Sequence, residues 1–149
     1  MTTRVIAVLV AAAISLIGPA GAADNVTSTT APDLTAVRAL IKAKEFAKAR
    51  DELNRIADGT QHADVYNLLG FTNRKLGDYP TALTFYKKAL DFDPEHKSAH
   101  EYLGELYVET GDLEKARGHL AILVRLCPTG CEEREDLETA IAAAAPKIK

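Results

Sequence analysis

The chain of 149 residues has no tryptophan, one methionine and two cysteines; aromatic side chains make up 6% of it, and it carries no surplus of basic residues. Each shortage removes a class of function. With 18 lysines and arginines against 21 aspartates and glutamates, and no aromatic interleaving of basic stretches, there is no electrostatic footprint for a phosphate backbone, so nucleic acid is set aside as a partner. The long apolar run, Val5 to Ile17 broken only by Ser15, falls short of the roughly 18 to 20 residues a helix needs to cross a bilayer. No cysteine follows that run, which argues against a lipid anchor. No Ser-His-Asp set, phosphate loop or paired-carboxylate arrangement is recognisable. His100, Glu101 and Glu105 do not form a metal set, because neighbours at i and i+1 point to different helix faces and no second histidine sits at i+4. No catalysis, metal or cofactor is expected.

The N-terminus has a different use. Met1 to Arg4 carries one positive charge, the apolar run follows, and Ala20-Gly21-Ala22-Ala23 supplies the small residues a signal peptidase accepts. Residues 1–23 are therefore expected to be a signal peptide of bacterial type, cut after Ala22 or Ala23, which leaves a periplasmic or secreted chain without a membrane span. An uncleaved N-terminal anchor is the other reading of the same run. Residues 24–32, rich in Ser and Thr and ended by Pro32, read as a flexible leader. Without Arg4 the mature chain has 17 basic against 21 acidic side chains, and its length of about 126 residues suits one domain with a small core.

What is present in abundance is self-similarity. Tyr66-x2-Leu69-Gly70, Gly77-Asp78, Ala82 and Pro94 return as His100-x2-Leu103-Gly104, Gly111-Asp112, Ala116 and Pro128, every one of them at an offset of 34. A unit this short cannot bury its own apolar face, so neighbours must stack, and a stack offers a long surface in place of an enclosed cleft. From Asp33 onward the apolar spacing is helical and comes in pairs: Ala63 to Leu76 with Pro80 to Phe92, then Lys97 to Thr110 with Leu113 to Leu126. Gly77 and Gly111 can take the left-handed conformation that ends a helix, Asp78 and Asp112 can accept from the free amides opening the next, and Pro80 suits a first turn. A weaker copy precedes these: Phe46-x2-Ala49-x3-Leu53-x2-Ile56 lines up with Tyr79-x2-Ala82-x3-Tyr86-x2-Ala89 at an offset of 33, after a helix from Asp33 to Lys44 that lacks the Leu-Gly pair. Beyond Pro128, Glu132 to Ala145 has Leu137, Ala140, Ile141 and Ala144 at helical spacing and Glu132, Glu133 and Glu135 near its positive end, a single helix that Pro146 stops.

These residues resemble the tetratricopeptide repeat, whose signature is a Trp-x2-Leu-Gly-x2-Tyr run, an Ala-x3-Phe step and a closing Pro. The matching positions are Tyr66, Leu69, Gly70, Ala82, Tyr86 and Pro94, then His100, Leu103, Gly104, Tyr107, Ala116, Leu120 and Pro128. Tyr66 and His100 stand where the Trp is usual, Asn73 replaces the first-helix Tyr, and Leu120 replaces the second-helix aromatic. The resemblance implies an all-α fold, a right-handed α-solenoid of about three helix pairs plus a C-terminal capping helix. Its domain would run over 33–149, with a degenerate unit over 33–62, units over 63–96 and 97–130, and the cap over 131–145. Small residues at Gly70, Ala82, Gly104 and Ala116 would let the two helices of one unit approach closely. The chain reads as a small exported bacterial protein of this family.

In such arrays the first helix of each pair lines an inner groove that holds extended peptides or partner helices. The resemblance thus implies a scaffold or adaptor of the cell envelope whose partner is a protein or peptide segment. The groove candidates are Arg38 and Lys42 in the first unit, Asn67, Phe71, Arg74 and Lys75 in the second, and Glu101, Glu105 and Glu109 in the third. The N-terminal half is basic, whereas the three glutamates, at i, i+4 and i+8, share one helical face. A segment with acidic and basic ends, or a helix of mixed charge, suits such a groove better than a purely acidic peptide. The charges have a second, plainer reading as solvated surface. Phe71 is more telling, since an aromatic facing the groove wants a partner, unless the next unit covers it.

Cys127 and Cys131 bracket Pro128-Thr129-Gly130. In an exported chain an even cysteine count favours a disulfide, and this turn can bring the pair to the required Cα separation of about 4.4 to 6.8 Å. So short a loop removes little chain entropy, which leaves the docking of the cap as the bond's role. Two other functions stay open beside the scaffold: a thiol-disulfide protein using this pair, although the spacing is x3 and no thioredoxin-like strands surround it, and a self-assembling module joined through the exposed face of the first unit. His100, at an aromatic position, is expected in or near the core, and His62 and His96 fall in the turns between units.

Overall fold

The computed structural model describes residues 31–144. The signal peptide expected over 1–23, and the leader over 24–32 except for its last two residues, lie outside the described residues. Seven helices follow in order: α1 Thr35–Lys42, α2 Phe46–Ala57, α3 Ala63–Lys75, α4 Tyr79–Phe92, α5 Lys97–Glu109, α6 Leu113–Leu126 and α7 Glu132–Ala144. They stack as three hairpins and a final single helix, an all-α solenoid with a cap. First helices adjoin one another, α3 against α5 and α5 against α7, while α4 and α6 form a second layer packed on them. Among the described residues no helix is long and apolar enough to cross a membrane.

The hairpin turns are encoded locally. Gly77 and Gly111 sit at φ +83° and +84°, where a Cβ is strained. The next residue caps the following helix: Asp78 Oδ1 accepts from the Thr81 amide and Asp112 Oδ1 from the Lys115 amide, both at 3.2 Å. The first unit makes the same turn with poorer chemistry. Lys44, at the position equivalent to Gly77, holds φ +60°, and Glu45 after it gives no side-chain cap. This explains why α1 is shorter than the expected span from Asp33 to Lys44: the chain leaves helical geometry before Lys44, and at the other end Asp33 turns back to accept from the Thr35 amide at 2.9 Å.

The turns between units use histidine. His62 Nδ1 accepts from the Asp64 amide at 3.3 Å, and His96 Nδ1 from the Ala99 amide at 3.2 Å. With Nδ1 accepting, His96 carries its proton on Nε2 and donates it to Asp64 Oδ1 at 2.8 Å, which ties the start of α5 to the first turn of α3.

The core repeats with the sequence. Ala49, Ala82 and Ala116 are fully buried, as are Leu69, Leu103 and Leu137. The last three succeed one another at an offset of 34, so α7 holds the register of a first helix in a fourth unit. Its Leu137 and Ile141 close over Ala116 and Leu123; burying such a leucine is worth about 1.5–3 kcal/mol.

One expectation about small residues is corrected. A Cβ on Gly70 would lie 2.4 Å from the Tyr86 ring, which is a close approach within one unit. A Cβ on Gly104 would meet Leu137 Cδ2 at 2.5 Å, so there the close neighbour is the capping helix and not α6. The reason is the side chain at the equivalent of Tyr86. Leu120 lacks the reach of a tyrosine ring, and Leu137 enters from the next helix instead.

Candidate ligand groove

Along the layer of first helices, α1 contributes Arg38, Ile41 and Lys42, α3 contributes Leu68 and Phe71, and α5 contributes Tyr102 to one open pocket of about 230 Å³. Its floor is apolar and its rim carries the two cations. Phe71 does not stand bare: it is half-buried, with ring centroids 6.2 Å from Phe46 and 5.1 Å from Tyr102. The exposed Lys75 lays its Nζ 5.2 Å from the Phe71 centroid, a cation–π contact that occupies the outer ring face.

The charges expected to polarise the groove are partly spent on each other. Arg74, with a side chain only 2% exposed, places Nη2 2.5 Å from Glu105 Oε2 and Nη1 3.5 Å from Glu109 Oε1. Its guanidinium carbon lies 5.9 Å from the Phe71 ring and 5.7 Å from the Tyr102 ring. Burial opposes its charge, but Tyr86, Glu105 and Glu109 outweigh that opposition and hold it above the usual arginine range. Arg74 is therefore a strut between α3 and α5 and not a free cation of the basic half, and Glu105 and Glu109 are its counter-ions, not an open acidic stripe. Sequence spacing puts all of them on facing helices; only packing says which find each other.

Glu101 is the exception. It is 7% exposed and makes no hydrogen bond or ion pair among the described residues. Ser98, Tyr102, Glu132, Glu133 and Asp136 share its recess of about 140 Å³ between α5 and α7. Burial first, then the carboxylates of Glu105, Asp136 and Glu133, push its pKa up to about 8, with Arg74 pulling the other way. One unit earlier, at the same register, Asn67 is 4% exposed and its Oδ1 has no partner. Thus Arg38, Lys42 and Phe71 meet in one pocket, Glu101 lines the next, Arg74, Glu105 and Glu109 lock together, and Asn67 is buried behind them. Sequence reasoning missed Ile41, Leu68, Tyr102, Glu133 and Asp136. Leu68 and Tyr102 hold the same register in successive units, each just after a groove candidate, and the Leu69, Leu103, Leu137 series would have shown that α7 also lines the groove.

A larger cavity of about 400 Å³ lies elsewhere, between α4, the end of α5 and the start of α6, lined among others by Tyr79, Leu83, Leu106 and Tyr107. Its charged residues, Asp112 and Lys115, are paired with each other at 2.5 Å, so it offers a ligand no unpaired charge. Cys127 and Cys131 are joined, with Cα atoms 6.0 Å apart. Cys127 is buried in the core and its Sγ lies 3.2 Å from the Leu123 carbonyl, away from an attacking thiolate. No cluster of metal-ligating side chains occurs among the described residues.

His100 is buried, as expected, and has a partner that the sequence did not suggest. Its Nε2 donates to the Pro94 carbonyl at 2.9 Å, which leaves Nδ1 to accept from His119 Nδ1 at 2.9 Å. Burial, then His100, lowers the pKa of His119 to about 4.

Residues 34–96 and residues 74–126 each match the tetratricopeptide repeat. BBSome complex member BBS4 of Bos taurus is 36% identical over 86 residues, which cover 58% of this chain and 17% of BBS4. The uncharacterized protein ycf37 of Pyropia yezoensis is 33% identical over 79 residues, 53% of this chain and 44% of that protein. The probable biofilm formation methyltransferase WspC of Pseudomonas putida is 33% identical over 100 residues, 66% of this chain and 24% of WspC. The chain thus spans less than half the length of each of these relatives. Among solved structures, the first such repeat domain of Spaghetti (RPAP3), bound to the HSP90 peptide SRMEEVD, superposes with a TM-score of 0.65 at 16% identity, covering 74% of this chain and 88% of that one. PcrH in complex with the chaperone binding region of PopD gives 0.63 at 18% identity, covering 73% and 83%. At such identities the likeness is one of fold.

Proposed function

Because the chain belongs to the tetratricopeptide-repeat family, we propose that it is a protein-binding scaffold or adaptor of the bacterial cell envelope, which takes an extended segment or one helix of a partner along α1, α3, α5 and α7. In this reading residues 1–23 direct export and are removed, and the work is done in the periplasm or outside the cell. The observation that carries it is the pocket of Arg38, Ile41, Lys42, Leu68, Phe71 and Tyr102: Ile41, Phe71 and Tyr102 half-buried beside the buried Leu68, rimmed by cations, on the layer of first helices. A large apolar side chain placed there would cover them, and backbone or side-chain oxygens beside it would meet Arg38 and Lys42.

Site-specific photo-crosslinking in living cells tests this. A photoreactive residue at Lys42 is expected to capture one partner segment, and one at Lys87, exposed on α4, is not. The captured segment, made synthetically, should bind the purified protein and lose at least tenfold in affinity with Phe71→Ala. Adducts formed only from Lys87 would overturn the groove. Mass spectrometry of the mature protein is expected to find its N-terminus at Ala23 or Asp24; a cytoplasmic chain beginning at Met1 would overturn the export reading.

A further inference from the structure

Several polar groups on the first helices and in the turns are already partnered. Arg74 answers Glu105 and Glu109, Asp64 answers His96, and Asp112 answers Lys115. The recess between α5 and α7 is different, because it gathers Glu101, Glu133 and Asp136 with no cation in contact. Ser98 donates to Glu133 at 3.4 Å, which satisfies one oxygen and no charge. Glu101 in particular is more than nine-tenths buried, faces this recess, and has neither a hydrogen bond nor an ion pair. Its oxygens are not sealed from solvent, so a ligand entering the recess can give this largely buried carboxyl the partner that the protein does not supply.

Tyr102 forms a wall of both this recess and the apolar pocket at Phe71, so the two are neighbours along one groove. Helices pack about 8–10 Å apart, and an extended chain advances about 3.3 Å per residue. A segment lying across them would reach from one pocket to the other in about three to five residues. We propose that the recess at Glu101 receives the guanidinium or ammonium group of an arginine or lysine in the partner segment, while a large apolar side chain three to five residues away fills the pocket at Phe71. This rests on the groove reading above and adds its specificity. Charge complementarity selects the occupant: four acidic residues, Glu101, Glu132, Glu133 and Asp136, line the recess, and the intramolecular arginine is directed to other glutamates. An acidic or neutral side chain would find only repulsion or an unpaired carboxyl.

The proton follows from the same geometry. Glu101 is faced by Glu105 on its own helix, by Glu132, Glu133 and Asp136 on α7, by the Tyr102 hydroxyl, and by Arg74 from α3. Glu105, Asp136 and Glu133 favour its protonated form and Arg74 opposes them, whereas a bound cation favours the carboxylate. Binding below about pH 8 therefore releases a proton, and affinity should rise from pH 6 to pH 8 and level off above it.

The test uses isotope-labelled protein expressed from the full sequence and short acetylated, amidated peptides carrying one leucine and one arginine, three to five residues apart in either order, in a serine background. Each is paired with a control in which citrulline, of nearly the same shape but uncharged, replaces arginine. In titrations followed by amide shifts, at least one arginine peptide is expected to move Ser98, Glu101, Tyr102 and Asp136, and citrulline to weaken it tenfold or more. Glu101→Gln should cause a similar loss and abolish the rise with pH. Asp136→Asn, at an exposed position, should cost about threefold and guards against a folding defect in the first variant. Equal affinity for arginine and citrulline peptides, with shifts confined to Arg38, Leu68 and Phe71, would overturn the cation site and leave the groove standing. Absence of shifts on all first helices with every peptide at several millimolar would overturn both.

Discussion

The second and third units share spacing, turn residues and helix lengths, yet differ in what fills the gap between their helices and in whether that filling titrates. In the second, Gly70 lies under the ring of Tyr86 from its own hairpin, and Tyr66 stacks near Phe85 with centroids 6.3 Å apart while its hydroxyl donates to the Thr60 carbonyl. In the third, at the equivalent position, Gly104 lies under Leu137 of the cap, and the pair is His100 and His119, 5.2 Å apart, with His100 donating to the Pro94 carbonyl. The bond to the carbonyl is copied, while the hydrogen bond between His100 and His119 has no counterpart between Tyr66 and Phe85. The second unit thus closes itself with aromatic rings, whereas the third depends on α7 and on two neutral imidazoles. A repeat signature specifies positions, and the substituents decide how independent and how pH-sensitive each unit is.

Leu137→Ala should give the largest effect, a loss of about 2–5 kcal/mol in urea unfolding, because Leu137 is fully buried. Adding Gly104→Ala to it should then cost less than Gly104→Ala alone, since the new methyl enters the vacated space. Gly70→Ala combined with Leu137→Ala should be additive. Additivity in both cycles would erase the distinction between the units.

Gly70→Ala by itself should cost about 1–3 kcal/mol, from a clash with a ring that cannot bend away. Gly104→Ala should cost less, because it meets the end of a leucine side chain, and each is offset by about 1 kcal/mol of helix propensity. The reverse order of melting temperatures would show that Tyr86 moves more freely than Leu137.

Acid should act on the third unit through two groups of opposite sign, His119 weakening it and Glu101 strengthening it. The folded pKa of His119 lies near 4, below its ordinary value of 6.5, so the unfolded chain takes up a proton first and stability falls as pH drops from about 6.5 towards 4. Partial exposure reduces the effect to about 1–2 kcal/mol, and His119→Phe, which restores the ring of the second unit, should remove it. Glu101 has the opposite sign: its folded pKa is raised, so the stability it contributes is present below about pH 4.5 and is lost as pH rises through about 8. In the Glu101→Gln background, where the opposing contribution is removed, hydrogen exchange at pH 7 and pH 4.5 should place the acid effect in α5 and α6; uniform loss along the array would contradict it.

The smallest expected change extends the comparison to the first unit. Lys44→Gly should stabilise by about 0.5–1 kcal/mol, by supplying at φ +60° the residue that Gly77 and Gly111 supply at the equivalent turns. Gly77→Ala, with no atom near the added methyl, should lose about 1 kcal/mol from backbone strain alone. Thermal unfolding of the two variants measures both.

Much of the fold is legible in the amino-acid pattern, because its determinants are short-range: a left-handed glycine just ahead of Pro80, an aspartate able to cap, alanine and leucine at fixed registers. The candidate site is only half legible. Register marks Arg74, Glu105 and Glu109 as groove residues, but their mutual neutralisation depends on the distance between α3 and α5. His62 and His96 look idle in their turns because an imidazole cap is not a common signal. Glu133 and Asp136 stay out of reach as long as α7 is read as a lid and not as another first helix.

Periodicity and turn chemistry alone determined that this chain folds into stacked hairpins with a terminal cap, since each hairpin is closed by contacts a few residues apart. Packing decided the rest: which carboxylates Arg74 consumes, that Glu101 is left alone, and that Leu137 fills the space over Gly104. Those outcomes turn on side chains a whole repeat apart meeting at roughly 2.5 to 4 Å, and Coulomb and steric energies change steeply over such distances, whereas a repeat pattern carries no information finer than a helix face.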